Sequence, residues 1–417
     1  MNKKIIIIGG GLVGSLLAVH LKNRNFDVVV YEKNAAHAIK DTNNGRASVN
    51  LTLSCRGLRV LEKIGLGEAV RIISKPVYGR MKHRLDGSSS YEAYGSNQEA
   101  LYSISRNHLN FIIRDHAQNN CHVPFHFDSE CVDYDCSRVS FKNNVTSTTF
   151  SAEADIIFAA DGAYSSARYQ LLRKNHFNYT QKYMNYGYSE LRVPRETNLS
   201  WANENNVLHF WPRKNHLMVG FPNHDGSFTL SLFFPYQGGP SYSTIKERKD
   251  LMGFLQEYYP NILFTGNNYE AEFFSKSINS LISVSCYPWV FNDRFALIGD
   301  AAHAIVPFYG QGVNAGFEDC DTLANYIDCY PDDWRTIFKL YQQARKPNTD
   351  LITDFALRHF YTLCDNSMGQ ESQIMCNTLS KYSEDDMKFI YKKISFTNMQ
   401  YIDILKLVSE NGLLIAN

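Results

Sequence analysis

The 417-residue sequence contains no C-x-x-C pair although it has nine cysteines. Their scatter and odd number argue against a disulfide framework and against a zinc site, and favour reduced thiols in a cytoplasmic protein. Net charge is absent: 42 Lys and Arg balance 42 Asp and Glu. No field therefore draws the chain to nucleic acid or to an anionic membrane surface. Uninterrupted apolar runs of the roughly 18 residues needed to cross a bilayer are also missing, and the apolar stretch 402–407 is broken by Asp403 and Lys406. No transmembrane anchor is expected. Internal repeats and low-complexity segments are lacking as well, while 44% apolar and 20% charged residues are ordinary globular usage. At roughly 100–200 residues per domain, such a chain forms two or three domains, and a small molecule is the default partner.

What is present begins at once. Lys3-Lys4 and the isoleucines behind them superficially resemble a signal peptide, but glycines interrupt the apolar stretch. Ile5-Ile6-Ile7-Ile8 reads as a strand buried on both faces, and Gly9-Gly10-Gly11-Leu12-Val13-Gly14 follows as G-x-G-x-x-G. A helical pattern comes next, then the apolar strand Val28-Val29-Val30-Tyr31 ending at Glu32, 18 residues after Gly14. This is the full dinucleotide fingerprint: Gly9 for the tight turn, Gly11 for approach of a pyrophosphate, Gly14 for close helix packing, Glu32 for a ribose. Backbone N–H groups of Leu12 and Val13, at the helix start, would face the phosphates. The fingerprint alone does not separate FAD from NAD.

Two later motifs do. Asp155-Ile156-Ile157-Phe158-Ala159-Ala160 runs into Asp161-Gly162-Ala163-Tyr164-Ser165-Ser166-Ala167-Arg168, the pattern D-G-x-x-S-x-x-R. Arg294-Phe295-Ala296-Leu297-Ile298 runs into Gly299-Asp300-Ala301-Ala302-His303, with Pro307 and Gly310-Gln311-Gly312-Val313-Asn314 behind. An Asp at a strand end can accept from ribityl hydroxyls, and a glycine turn opening a helix can aim N–H groups at the pyrimidine edge of a flavin. Together the three motifs resemble the FAD-dependent aromatic hydroxylases of the para-hydroxybenzoate hydroxylase fold. Gly45-Arg46-Ala47-Ser48, Ser103-Ile104-Ser105-Arg106, Ile305-Val306-Pro307-Phe308-Tyr309-Gly310-Gln311-Gly312 and Glu318-Asp319-Cys320 resemble the kynurenine 3-monooxygenases within that group. The resemblance covers roughly residues 1–350 and is weak beyond about 360. It implies cofactor contacts at Arg46, Ala47, Arg106, Asp161, Gly162, Asp300, Gly312, Val313 and Asn314, beside those of the fingerprint. Inside G-D-A-A-H, His303 reads as a helix-start residue, not a general base.

A hairpin is expected over 77–94, turning at Asp86-Gly87. With a loop of Asp86-Gly87-Ser88, Arg80 and Tyr94 face each other across the strands. Such a pair could clamp a carboxylate or simply be solvated. The resemblance implies the clamp, on the amino-acid carboxylate of kynurenine. In a second hairpin, alternation puts Phe228, Leu230, Leu232 and Phe234 on one face and Thr229, Ser231 and Phe233 on the other. The resemblance makes that second face the roof of the substrate cavity, so Phe233 and Phe308 would pack against an aromatic ring. His359 stands where the family has an Asn that helps hold the amino-acid end, and a protonated His there would pair with a carboxylate. Cys55 likewise replaces a common His.

The expected fold class is α/β: a Rossmann-like FAD-binding domain in segments 1–75, 101–178 and 285–330, interleaved with a mostly antiparallel β-sheet substrate domain in 76–100 and 179–284. Residues 331–417 are expected as a helical C-terminal cap, with Phe338, Tyr341, Ile352, Phe355, Leu357, Ile404, Leu407 and Val408 at helical spacing. The resemblance implies that NADPH reduces bound FAD, that O2 forms a flavin hydroperoxide, and that L-kynurenine becomes 3-hydroxykynurenine. Pro307, Phe308, Gly310, Gln311 and Gly312 would shape the peroxide's surroundings, with no metal involved. A plain NAD(P) dehydrogenase has no use for the second and third motifs. A hydroxylase of a modified kynurenine or related arylamine, and a flavin-binding protein without hydroxylase activity, remain compatible with the departures at His359 and Cys55.

Overall fold

Four consecutive isoleucines leave no polar face for solvent, and the strand Lys4–Ile8 accordingly runs between two parallel neighbours, Asp27–Tyr31 and Ile156–Ala159. The computed structural model describes residues 3–36, 50–95, 99–135, 137–173, 176–195, 200–260, 262, 269–275, 277–363 and 382–410. The parallel sheet continues to Phe125–His126 on one side and Phe295–Leu297 on the other, with an antiparallel edge at Val290–Phe291. Its apolar face packs the helices Leu12–Lys22 and Gly312–Cys329 and the start of Trp334–Leu363 into one core. Two three-stranded sheets flank it, one of them joining Asn50–Leu53, Leu101–Ser105 and Lys75–Val77.

A seven-stranded sheet stands beside this unit, ordered Asn279–Tyr287, Asn178–Val193, Phe228–Pro235, Leu217–Pro222, Leu208–Pro212, Gly79–His83, Ser89–Ala93. Every pairing is antiparallel except Leu208–Pro212 with Gly79–His83. The α/β class with a mostly antiparallel second sheet thus holds. Phe228, Leu230, Leu232 and Phe234 bury against the helix Arg248–Tyr258 in one core, whereas Phe233 enters a separate cluster on the opposite face.

Both hairpins turn on Asp-Gly-Ser by the same device. Leu85-Asp86-Gly87 and His224-Asp225-Gly226 are three-residue loops in which the glycine takes the left-handed conformation, φ +86° and +82°. Each Asp carboxylate accepts the following Ser N–H, at 2.8 Å from Ser88 and 2.9 Å from Ser227. Because the glycine closes the loop and is not its centre, the first hairpin pairs Arg80 with Glu92, not with Tyr94 as expected. The shift is two residues, so Tyr94 keeps the same face and becomes Arg80's diagonal neighbour.

The C-terminal region is helical where described: Trp334–Leu363, Glu384–Phe396 and Tyr401–Glu410. Ile352, Phe355, Leu357, Ile404 and Val408 form a core with Val306 and Tyr309, while Phe338 and Tyr341 pack on the parallel-sheet side. Asn348 ties the last helix to the first by accepting the Ile402 N–H at 3.1 Å. No helix among the described residues is long and apolar enough to cross a membrane.

Several histidines are buried as neutral groups. His83 Nε2 lies 2.9 Å from His209 Nδ1, and His209 Nε2 donates to the Glu204 carbonyl at 2.9 Å. Burial lowers the pKa of His20, His83 and His209 to about 4, and that of His216 to about 3. Their unfolded values lie near 6.5, so below that pH the unfolded chain binds more protons than the folded one. Thermal melts should therefore show a Tm that is constant between about pH 7 and 8 and falls from about pH 6.5 towards 4. A Tm unchanged over that interval would contradict this burial.

Candidate active site

The first strand delivers the chain to a turn that only glycine can make. Gly9 has φ +101°, and a Cβ there would lie 2.5 Å from the Ala160 carbonyl oxygen; a Cβ on Gly14 would lie 2.0 Å from the Gly9 oxygen. These two glycines let the helix Leu12–Lys22 seat against the sheet. Gly11 differs, since its Cβ would meet nothing within 4 Å and would project into a cleft. That cleft, about 450 Å³, is lined by Gly9, Gly11, Leu12, Val13, Glu32, Arg106, Asp161, Gly162, Asp300, Pro307, Gly310, Gly312 and Val313.

The cleft fits FAD on the chemistry of its walls. The N-terminus of the first helix supplies N–H groups without helical partners. Asp161 uses one carboxylate oxygen on the Ala167 N–H, and the other is buried with no hydrogen bond, which raises its pKa through burial. A ribityl hydroxyl would satisfy that oxygen. Glu32 accepts from the Gly10 N–H at 2.7 Å and from the Asn34 N–H at 2.9 Å, which sets it beside the turn. Gly162 and Gly310, at φ +83° and +65°, give the backbone freedom on the opposite wall.

From this cleft a row of packed aromatic side chains leads into the second sheet. Tyr188, Phe221 and Leu281 line the cleft and also pack with Phe233. Phe233 meets Phe308 edge-on with ring centroids 5.0 Å apart, and Phe308 stacks on Phe360 at 4.1 Å. The single turn Pro307–Tyr309 distributes three side chains: Pro307 to the cleft, Phe308 to the aromatic row, and Tyr309 to its far end. There Tyr309 approaches His359 at 5.3 Å and Tyr391 at 5.2 Å, and Tyr391 packs against Tyr94 at 6.0 Å. The Arg80 guanidinium lies 5.8 Å from the Tyr391 ring centroid and is held by Glu92.

Arg80, Tyr94, Phe233, Phe308 and His359 are thus brought along one row, although they come from four separate stretches of sequence. His359 is neutral, since burial and then the positive charges of Arg80 and Lys82 lower its pKa to about 3. It does not supply the protonated partner that a helix His could have been; it is an uncharged hydrogen-bonding group. The side chains of Asn314 and Gln311 are not on the cleft. The Asn314 amide accepts from Ser54 N–H and donates to the Thr52 and Gly310 carbonyls, which clamps the Gly310 turn to strand Asn50–Leu53. Gln311 is buried and accepts from the Tyr401 hydroxyl at 3.3 Å. Arg46 and Ala47 lie outside the described residues. His303 is buried with Nε2 2.5 Å from Asp319, a structural contact at a helix of one turn. Tyr391 and Phe360 carry no motif, and Tyr309 lies in one that does not single it out; only the fold reveals all three at the site.

The fold and the glycine-lined cleft define a flavoprotein class, and a family model described as "FAD binding domain" matches residues 2–356. Kynurenine 3-monooxygenase of Flavobacterium johnsoniae is 35% identical over 417 residues, covering 99% of this chain and 93% of that protein. The enzyme of the same name from Dictyostelium discoideum is 37% identical over 380 residues, covering 88% and 81%. The chain belongs to the kynurenine 3-monooxygenase family. Among solved structures, Klebsiella pneumoniae HpxO complexed with FAD and uric acid superposes with a TM-score of 0.71 at 18% identity, covering 97% of each chain. An oxygenase of 2-methyl-3-hydroxypyridine-5-carboxylic acid gives 0.70 at 21% identity, covering 91% and 96%. These two likenesses establish the shared fold.

The two kinds of glycine should separate experimentally. Gly14→Ala forces a Cβ against backbone and should lower the Tm of the FAD-free protein or abolish folding. Gly11→Val should leave that Tm within a few degrees and eliminate FAD retention, read as flavin absorbance after gel filtration. Retention of FAD by Gly11→Val would place the pyrophosphate elsewhere.

Proposed function

We propose that the protein hydroxylates L-kynurenine to 3-hydroxykynurenine, with bound FAD, NADPH and O2. The observation that carries this reading is the row of packed aromatic side chains running from the flavin cleft to a cationic anchor at Arg80. A substrate with an aryl ring at one end and an amino-acid carboxylate at the other matches both ends of that row. When bound and reduced, FAD would supply the activation of O2 for transfer of one oxygen atom to the ring.

The chain's own residues bind, orient and exclude water. Arg80, together with the Tyr94 and Tyr391 hydroxyls, holds the carboxylate, and burial of both phenols raises their pKa so that they remain donors. Phe233 and Phe308 face the ring and fix its plane, the positioning that makes a transfer effectively unimolecular. Pro307, next to Phe308 in the chain, and the backbone of Gly310 and Gly312 form part of the cleft wall. Phe360 and Tyr186 back the aromatic layer and keep it dry, protecting a reactive oxygen species from water. His359 stays neutral beside the anchor, so it adds no second positive charge.

The test is NADPH consumption by the FAD-loaded chain in air, with and without L-kynurenine, and separation of products by mass. Strong stimulation with a product gaining one oxygen is expected. Stimulation with hydrogen peroxide alone would make kynurenine an effector and not the substrate. Arg80→Ala should raise KM for L-kynurenine by at least about 30-fold, the effect of removing one partner of a desolvated ion pair. An unchanged KM would remove Arg80 from the anchor.

A further inference from the structure

The guanidinium assigned to the substrate carboxylate already has a partner. Glu92, directly across the ribbon, accepts from Arg80 Nε and Nη2 at 2.9 Å each, and Lys82 Nζ reaches the same carboxylate at 3.2 Å. The pair is half-buried, with the Arg80 side chain 12% and that of Glu92 36% exposed. Arg80 has five N–H groups in a fixed fork. Glu92 takes the Nε/Nη2 edge, which leaves the Nη1/Nη2 edge for a second carboxylate. Arg80, Lys82, Glu92 and Tyr94 share one face of the hairpin, and Tyr391 and neutral His359 pack near it.

The placement of the charges, more than their sum, decides what this face takes. Two cations and one carboxylate sum to +1, and Tyr94, Tyr391 and His359 beside them are neutral. A bare carboxylate would balance that charge but would give Glu92 no part except competition for Arg80. An amino-acid end brings an ammonium on the carbon next to its carboxylate, so both charges find complements that are adjacent on the ribbon. We propose that Glu92 receives the α-ammonium of the substrate, so that the hairpin recognises the zwitterionic amino-acid end as one unit: carboxylate on the free edge of Arg80, ammonium on Glu92. Glu92 is then a specificity-determining residue, and its ion pair also presets the orientation of the Arg80 fork. Lys82 supplies the second positive charge that lets two carboxylates converge on one guanidinium. This inference rests on the kynurenine reading and extends it to selectivity.

The experiment compares L-kynurenine with its desamino analogue, 4-(2-aminophenyl)-4-oxobutanoate, on the FAD-loaded full chain. Kinetics are read from NADPH oxidation and Kd from ligand-induced change in flavin absorbance. Glu92→Gln should raise KM and Kd for L-kynurenine about tenfold, the scale of one charge-assisted hydrogen bond, with kcat within about twofold. Values for the analogue should stay constant or fall, so the preference for the amino acid collapses, and Glu92→Asp should recover part of it. Equal weakening for both ligands would reduce Glu92 to a support for Arg80, and tightening of both would make it a competitor; either result overturns the proposal. Absence of kynurenine-stimulated NADPH oxidation in the unmodified chain would instead reject the functional reading, while the Kd ratio of the two ligands would still judge Glu92.

Discussion

One buried network of charge holds the site together. Asp319 accepts from Arg345 Nε at 2.7 Å, from the Gly299 N–H at 3.1 Å, and lies 2.5 Å from His303. Arg345 also reaches Glu318, which accepts from Arg56 at 2.7 Å, and Arg56 donates to the carbonyls of Ile394 and Met399. Burial alone would push the Asp319 carboxyl up, but His303 and Arg345 beside it hold it below its ordinary value. Arg56, Arg345 and Asp319 are essentially inaccessible to solvent. Such a network is a poor source of net stability, because removing charges from water costs about as much as their attraction returns. Its effect is geometric. It fixes the Gly299-Asp300 turn that borders the cleft, orients the helix whose first residues Gly312 and Val313 face the same cleft, and fastens the C-terminal helices to both.

The consequence is that the cap and the cofactor site are not independent bodies. Gly316 and Gly299 both approach Val13, with would-be Cβ atoms 2.7 and 3.0 Å from its methyl groups. The fingerprint helix, the third-motif turn and the long helix therefore meet without space for a side chain. Tyr401 lies under the Arg56 guanidinium at 4.4 Å and donates to Gln311. A displacement of the last helix would be felt within two residues of the cleft wall. In this way the tail supplies Tyr391 to the anchor while its neighbour Tyr401 braces the turn beside the cleft.

Much of this was legible from the sequence where chemistry imposes local geometry. The isoleucine run, the glycine spacing and the alternation over 228–234 each have a single structural solution, and each is found. Less legible were features set by tertiary contact. The register at Arg80 depends on whether Gly87 sits at the centre or the end of its loop, a choice made by its left-handed backbone, and it determines that Glu92 is Arg80's direct partner. Neutral His359 follows from burial between Tyr309, Tyr391 and the Arg80–Lys82 charges, none of which is near it in sequence. Tyr391 and Phe360 belong to amphipathic helices whose patterns are indistinguishable from ordinary core. The side chain of Asn314, whose motif position suggested the cofactor, is consumed by three backbone hydrogen bonds that only the closed turn brings within reach.

The neutrality of His359 and the pairing of Arg80, side by side at the far end of the aromatic row, have one physical cause. Aromatic side chains from the sheet, the Pro307–Tyr309 turn and the C-terminal helices exclude water between the cleft and Arg80, so an unpaired charge there would be costly. His359 avoids that cost by staying unprotonated, whereas Arg80 cannot lose its proton and must be paired. Glu92 performs that pairing from the edge strand, where its carboxylate retains solvent contact and is held by Arg80 and Lys82 at a pKa of about 2 despite the opposing effect of burial. The anchor is thus ionised at all physiological pH values and keeps its orientation without a ligand. An incoming amino-acid end does not need to create the charge pattern, only to complete it, which is the arrangement in which binding energy is spent on placing the ring and not on organising the protein.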